Sequence, residues 1–355
     1  VSALRIRGVE AVDIRDSEPE GDDTVFVAVH AGCGTGWYGP VSNAIGDYAC
    51  RVLAPELAGV DATDVREVQR RLRGKPGTPH TTCASWAAGA IDCALWDLRS
   101  KLANRRVAAL MMWRGLRSSI PAYASWLTHE LRTDTDAAAI AQVAEAGWVF
   151  TKWGLRADPR LGPAAQAELL AQAVHRAAGS TATPLAVDAV GTWTPALTLG
   201  FAHRVDPGAL IWLEDPLPRH DVDLYRQVAA RLPIAWGERL RLGEDPALLM
   251  AAARPVALTL DVVGCGGLTR AAEIVAAARA RGVPVYPHGR SLIPGMHLAA
   301  AFPATVPAVE FRLQWEPARQ LLYAQPCLPE HGLLTLPDTP GLGTTPRSAP
   351  CPAHR

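Results

Sequence analysis

The chain has 355 residues, 49% of them hydrophobic, enough for one large domain or two ordinary ones. Its formal charge is +0 and its pI about 7.3, so neither a nucleic-acid nor a membrane-surface partner is expected. No apolar run approaches the ~20 residues that cross a bilayer. The opening VSALRIRGVE lacks a signal-peptide pattern. Seven cysteines without C-x-x-C spacing read as reduced thiols of a cytoplasmic protein.

Residues 1–115 read as an α+β domain. Two β-rich runs, ALRIRGVEAVDIR and DTVFVAVHAG, flank the polar loop DSEPEGDD, and AIGDYACRVLAPEL has a helical pattern. A long helix is expected to start near Thr82, with Thr82 as its N-cap, and to run through CASWAAGAIDCALWDLRSKLA.

From residue 120 a repeat takes over. Apolar stretches of strand length fall at 120–126, 148–154, 184–190, 210–215, 233–238, 257–262, 283–288 and 307–312. Alanine-rich or amphipathic helical segments such as GPAAQAELLAQAVHRAAG and GLTRAAEIVAAARARG separate most of them. Eight strands alternating with helices predict an α/β fold, a parallel (β/α)8 barrel over 116–320. The Pro/Gly-rich tail, 321–355, is expected to pack back on the first domain.

In such a barrel, functional groups stand at the C-terminal strand ends. Within the third, fourth and fifth stretches the strands are expected to end at Asp188, Glu214 and Glu238. Adjacent strands lie ~4.8 Å apart, so the three carboxylates can be aimed at one point, where they would repel one another without a cation. A single acid at a strand end is ordinarily a cap or a surface ion pair; three on consecutive strands suit Mg²⁺. Asp215, before Pro216, suits a loop opening or a role behind the ligands.

Taken together these segments resemble the enolase superfamily, in its mandelate racemase-like group. AGAIDCALWDLRSKLANRRVAALM resembles the helix closing that family's N-terminal capping domain. VDAVGTW, WLEDP and WGERL resemble its metal-ligand strand ends, and DVVGCGGLTRAAEIVAAA, VYPHG and VEF its last three strands. The resemblance implies a modified TIM barrel whose Asp188, Glu214 and Glu238 hold one Mg²⁺ that stabilises an enediolate. It gives Asp261 and His288, at the sixth and seventh strand ends, the role of an acid/base dyad. In a dyad the carboxylate fixes the imidazole tautomer and raises its basicity. Glu310 matches the acid that bonds the substrate carboxylate or enediolate.

The second strand departs from the family pattern. Related racemases carry Lys-x-Lys there, the second lysine facing the other side of the substrate. In GWVFTKWGLR, counting from Gly147 puts Lys152 in the first lysine's place and Gly154 in the second's. Counting back from Gly154 makes Lys152 the second lysine, with Phe150 replacing the first. The first alignment is preferred, because TKWGLRADP resembles acid-sugar dehydratases. Lys152 then holds the substrate carboxylate. Val190 stands where the family often has asparagine.

A single base favours dehydration of a sugar acid to a 2-keto-3-deoxy acid. The alternatives are a racemase or epimerase using Lys152 opposite His288, and a metal-retaining binding protein without catalysis. The expected partner is a small-molecule carboxylate, and a homo-oligomer is expected. Trp126 ends the first strand, and Arg156, Arg239 and Arg290 follow other strand ends; all four are candidates to read the substrate, while loop 17–23 and GWYGP (36–40) are candidates to close over the mouth.

Overall fold

The computed structural model describes residues 2–14, 23–74, 80–112, 115–131, 134–217 and 221–348. Strands β1 (Ile6–Asp13), β2 (Asp23–Ala31) and β3 (Gly34–Ser42) form an antiparallel sheet in that order. Phe26, Val27, Ala28 and Val29 are all fully buried, so β2 is covered on both faces. Helix Thr82–Leu102 packs on β3 so closely that a Cβ at Gly36 would stand 1.9 Å from the Ala94 carbonyl oxygen. Its N-cap is Thr81, one residue before the expected Thr82. Thr81 has extended backbone and its side chain accepts from Ala84 N at 3.1 Å, while Thr82 is already helical.

The second sheet is parallel, in the order β10-β4-β5-β6-β7-β8-β9. Its strands are β4 (Ser119–Glu130), β5 (Thr151–Gly154), β6 (Leu185–Asp188), β7 (Leu213–Glu214), β8 (Ile234–Trp236), β9 (Ala257–Leu258) and β10 (Val309–Arg312). The stretch expected as a seventh barrel strand is reduced to a bridge between Val285 and Leu258. Hydrogen bonds from His288 N to Leu260 O (2.9 Å) and Glu310 N to Pro287 O (3.1 Å) close the ring there. Several strands stop short of the expected ends. Gly237, at φ 143°, takes the chain out of the ladder before Glu238, and Asp261 follows β9 by three residues.

Inside the barrel, side chains alternate with period two along each strand. One inward layer packs Tyr123, Phe150, Trp212 and Tyr286 against Ala186, Ala235, Ala257 and Ala308. Tyr123 stacks on Phe150 at 4.3 Å, and Trp212 and Tyr286 meet the pair edge-on. Four aromatics pack against four alanines across the bore. Two residues further along the same strands come Lys152, Asp188, Glu214, His288 and Glu310.

The tail does more than pack back. β11 (Leu333–Thr335) pairs antiparallel with the start of β4. Beyond it, Leu342 N donates to Asp97 (2.7 Å) and Thr344 Oγ1 to Trp37 O (2.7 Å), fastening the barrel to the first sheet's domain.

Two outcomes follow. Alanine is the better helix former by about 1 kcal/mol, so Gly89→Ala should stabilise the helix Thr82–Leu102 on propensity alone. A Cβ there would stand 2.0 Å from the Val263 carbonyl oxygen, and backbone cannot step aside cheaply. Overpacking costs about 1–3 kcal/mol, so the variant should melt lower; an unchanged or higher midpoint would refute the contact. His297 is buried and neutral: Nδ1 accepts from Ala108 N (3.0 Å) and Nε2 donates to Leu342 O (2.8 Å). Burial pulls its pKa down from 6.5 to about 4. Its folded pKa lies below the unfolded one, so its stabilising share is complete above about pH 6.5 and lost as pH falls toward about 4. Comparing unfolding of wild type and His297→Gln from pH 7 to 4 should show a shallower slope in the variant.

Candidate active site

Register brings the site together. Gly154 pairs with Asp188 across β5–β6, and Asp188 with Glu214 across β6–β7. Lys152, one inward step below Gly154, is fully buried. Its Nζ lies 3.0 Å from Glu214 Oε2, 3.1 Å from Glu310 Oε1 and 3.2 Å from Asp188 Oδ2. Backbone and ring donors hold the acids from behind. Val190 N donates to Asp188 Oδ1 (2.8 Å), Trp212 Nε1 to Glu214 Oε2 (3.2 Å) and Gly289 N to Glu310 Oε2 (2.7 Å).

One ammonium faces three carboxylates. Burial alone would strip the Lys152 proton, but Glu214, Glu310 and Asp188 outweigh it and hold the pKa well above its ordinary value. Burial likewise pushes Glu310 up, and Lys152, His288 and the Gly289 amide more than reverse this. Glu214 goes the other way. Its burial, reinforced by the Asp188 charge, exceeds the pull of Lys152 and raises it to about 8. The cluster is short of positive charge.

Asp261 and His288 meet beside it, with His288 Nδ1 3.5 Å from Asp261 Oδ2. Asp261 Oδ1 accepts from Ser291 Oγ (2.5 Å), Gly264 N (2.8 Å) and Val263 N (3.1 Å). Burial would raise its pKa, but the bonds from His288, Ser291 and Gly264 hold it below the ordinary carboxylate value. The other imidazole nitrogen, Nε2, lies 3.6 Å from Glu310 Oε2 and 4.0 Å from Glu238 Oε1. Burial disfavours the imidazolium, and Glu310, Glu238 and Asp261 overcome it, lifting His288 to about 9. Ser291 was not foreseen. Its only sequence signal is its place three residues after the histidine.

Among the described residues, no three His, Cys, Asp or Glu side chains stand together as a metal cage. Lys152 draws Asp188 and Glu214 toward itself, and Glu238 stands apart beside His288 with a third of its side chain exposed. The donors still fit a hard divalent cation. They are all carboxylates, Glu214 Oε1 is buried without a hydrogen-bond partner, and surplus negative charge already raises Glu214.

On the second strand, Phe150 belongs to the aromatic floor, so Lys152 alone enters the carboxylate layer from β5. Above it, a Cβ at Gly154 would stand 2.3 Å from the Leu127 carbonyl oxygen, because β4 bulges between Trp126 and Glu130. Position 154 cannot carry a side chain as the chain is folded here. Val190 adopts φ 53°, which strains a β-branched residue and which asparagine tolerates better.

The remaining candidates spread around the mouth. Trp126 is half-buried, stacks near Trp153 at 6.4 Å and donates to Thr128. Arg156 donates to Leu127 O and lines a cavity of about 210 Å³ with Asp158, Leu161 and Arg176, separate from a second cavity lined by Glu238, Asp261 and Arg290. Arg239 donates to Val190 O (3.2 Å) and Leu217 O (3.3 Å). Arg290 pairs with Asp23 (3.0 Å) and lies over the Trp86 ring at 4.6 Å. Of loop 17–23, all but Asp23 lies outside the described residues. GWYGP belongs to β3, buries Trp37 and Tyr38, and meets Arg319 and Tyr323 through the Pro40 and Gly39 carbonyls.

Removing the ammonium should expose the charge imbalance. An uncompensated buried charge costs about 3–5 kcal/mol. Lys152→Met should therefore melt well below wild type in chelator and gain more from added Mg²⁺ than wild type does. Equal Mg²⁺-induced shifts in both proteins would show that Lys152 does not balance these acids.

Residues 135–349 match the enolase C-terminal domain-like family, and residues 22–111 match the mandelate racemase / muconate lactonizing enzyme N-terminal domain. D-galactarolactone cycloisomerase of Agrobacterium fabrum is 30% identical over 277 residues, 72% of this chain and 70% of that protein. Arabinonate dehydratase of Saccharolobus solfataricus is 26% identical over 264 residues, 72% of this chain and 68% of that protein. A mandelate racemase/muconate lactonizing enzyme-like protein from Rubrobacter xylanophilus has the same fold, with a TM-score of 0.81, 24% identity and coverage of 97% and 96% of the two chains. So does a mandelate racemase/muconate lactonizing protein from Paracoccus denitrificans complexed with magnesium (TM-score 0.79, 24% identity, 96% and 95% covered). With a capping sheet, a parallel barrel and both domain matches in order along the sequence, the chain belongs to the mandelate racemase/muconate lactonizing enzyme family of the enolase superfamily.

Proposed function

We propose that the protein is an acid-sugar dehydratase that removes the α-proton of a sugar acid and expels the 3-hydroxyl as water, giving a 2-keto-3-deoxy acid. The observation that carries this reading is the pairing of one buried dyad, Asp261–His288, with a fully buried Lys152 among three carboxylates. Relatives named arabinonate dehydratase and L-talarate/galactarate dehydratase, each 26% identical, support it.

Asp188, Glu214 and Glu238 are the residues that would hold Mg²⁺, as the magnesium complex of the Paracoccus relative also suggests. Bound there, the ion supplies Lewis-acid stabilisation as negative charge builds on the substrate carboxylate. This chain's own groups do the proton work. His288 Nε2, turned toward Glu310 and Glu238, takes the α-proton, while Asp261 holds Nδ1 and steadies the imidazolium. Lys152 pairs with charge on the substrate carboxylate, and Glu310 bonds the same end of the substrate. The C3–O bond then breaks, and the imidazolium proton leaves with the hydroxyl as water. The product enol takes up a proton at C3 and becomes the ketone.

Racemisation needs a second base on the opposite face. Lys152 is locked among carboxylates and Gly154 has no room for a side chain, which speaks against it. The relative named D-galactarolactone cycloisomerase supports a second reading, in which the same base removes the α-proton of a sugar-acid lactone.

His288→Asn should reduce α-proton exchange in deuterium oxide and dehydration together, by roughly 10²–10⁴-fold. Lys152→Ala should weaken substrate binding, and chelation should abolish turnover. Exchange that survives in His288→Asn but vanishes in Lys152→Ala would reverse the roles of the two residues.

A further inference from the structure

Asp261 and His288 stand in loops, and strand register gives their side chains little support. β9 ends at Leu258, the Val285–Leu258 bridge stands for the seventh strand, and His288 N donates to Leu260 O at 2.9 Å. These contacts fix backbone and leave the imidazole and the carboxylate to turn about their side-chain bonds. His288 Nδ1 has two neighbours that ask for opposite tautomers. The Arg290 amide, 3.3 Å away, donates and so suits an unprotonated Nδ1. Asp261 Oδ2, 3.5 Å away, accepts and so suits Nδ1–H. A ring that takes a proton at Nε2 needs the second arrangement. Neither distance decides between them, so the aim of the Asp261 carboxylate does.

Three donors hold Oδ1 of that carboxylate. The Gly264 and Val263 amides (2.8 and 3.1 Å) belong to the loop of Asp261 itself and cannot set its place relative to His288. Ser291 Oγ, at 2.5 Å, comes from the histidine's own segment, where Ser291 N donates to His288 O (3.0 Å). The same hydroxyl accepts from Val263 N at 3.2 Å. Ser291 is the N-cap of the helix Leu292–Ala301. A serine there ordinarily accepts from the first amides of its helix, yet this one makes no such bond. Its buried hydroxyl is directed at Asp261 instead.

We propose that Ser291 is a positioning residue of this site. Its hydroxyl pins Oδ1, turns Oδ2 toward His288 Nδ1, and thereby selects the ring tautomer with Nε2 open to a proton. The proposal rests on the reading that His288 takes the α-proton. An unpinned carboxylate can rotate about its Cβ–Cγ bond, and Nδ1 then falls to the Arg290 amide.

The test uses the full chain with Mg²⁺ and two readouts. One is the far-downfield proton resonance of an imidazole Nδ1–H bonded to a carboxylate, assigned to His288 by its loss in His288→Asn. The other is α-proton exchange in deuterium oxide over a panel of aldonic and aldaric acids. Wild type should show the resonance, Ser291→Ala should lose it, and Ser291→Thr, which keeps the hydroxyl, should retain it. Ser291→Cys, a weak donor of similar shape, should lose it as the alanine variant does, and takes its place if that variant does not fold. For an acid that exchanges, the Ser291→Ala rate at saturation should fall roughly 10- to 100-fold while the half-saturating concentration stays within about twofold, because Ser291 acts through Asp261 and not on the substrate. A resonance absent from wild type or unchanged in Ser291→Ala, or a loss confined to the half-saturating concentration, would overturn the proposal. The expected resonances without exchange of any acid would instead overturn the dehydratase reading and leave the role of Ser291 standing.

Discussion

A single lysine carries the charge balance of the barrel. Lys152 reaches three buried carboxylates within 3.2 Å, and each of those acids sits on a different strand. Without a cation, mutual repulsion would force such a layer apart or protonate it. The raised Glu214 shows that one ammonium falls short of the need. A divalent ion among these acids would complete the same balance and would tie cation binding to the stability of the barrel.

The dyad depends on a different contact. Asp261 lies in the loop after β9, and its neighbour Val263 touches the capping helix at Gly89, backbone against backbone. Trp86 of the same helix packs at Gly264 and under Arg290, two residues from His288. Orientation of His288 is thus shared between the two domains. Asp23 adds a charged tie from β2 to Arg290.

Much of this could be read from residue order because period-two spacing at strand ends survives whatever the exact strand length. Asp188, Glu214, Asp261, His288 and Glu310 were all legible as acids or a histidine closing apolar runs. Strand lengths were not, since Leu210 and Trp212 are buried without belonging to β7. A buried side chain and a ladder partner leave the same apolar mark in a sequence. The bridge that replaces the seventh strand, the partition of Phe150 to the floor and the Ser291 bond to Asp261 depend on which side chains share a level inside the barrel. That level is set by tertiary packing. The Thr81 cap was missed because Thr81 and Thr82 offer the same hydroxyl, and only backbone angle tells them apart.

The aromatic floor has a consequence for substitutions that touch no polar atom. Tyr123, Phe150, Trp212 and Tyr286 lie one inward step beneath the layer that holds Lys152, Asp188, Glu214, His288 and Glu310. Each large ring therefore sets the height at which the group above it stands. Shaving one of them would let that layer sink, and the distances around Lys152 would change although none of its partners had been replaced.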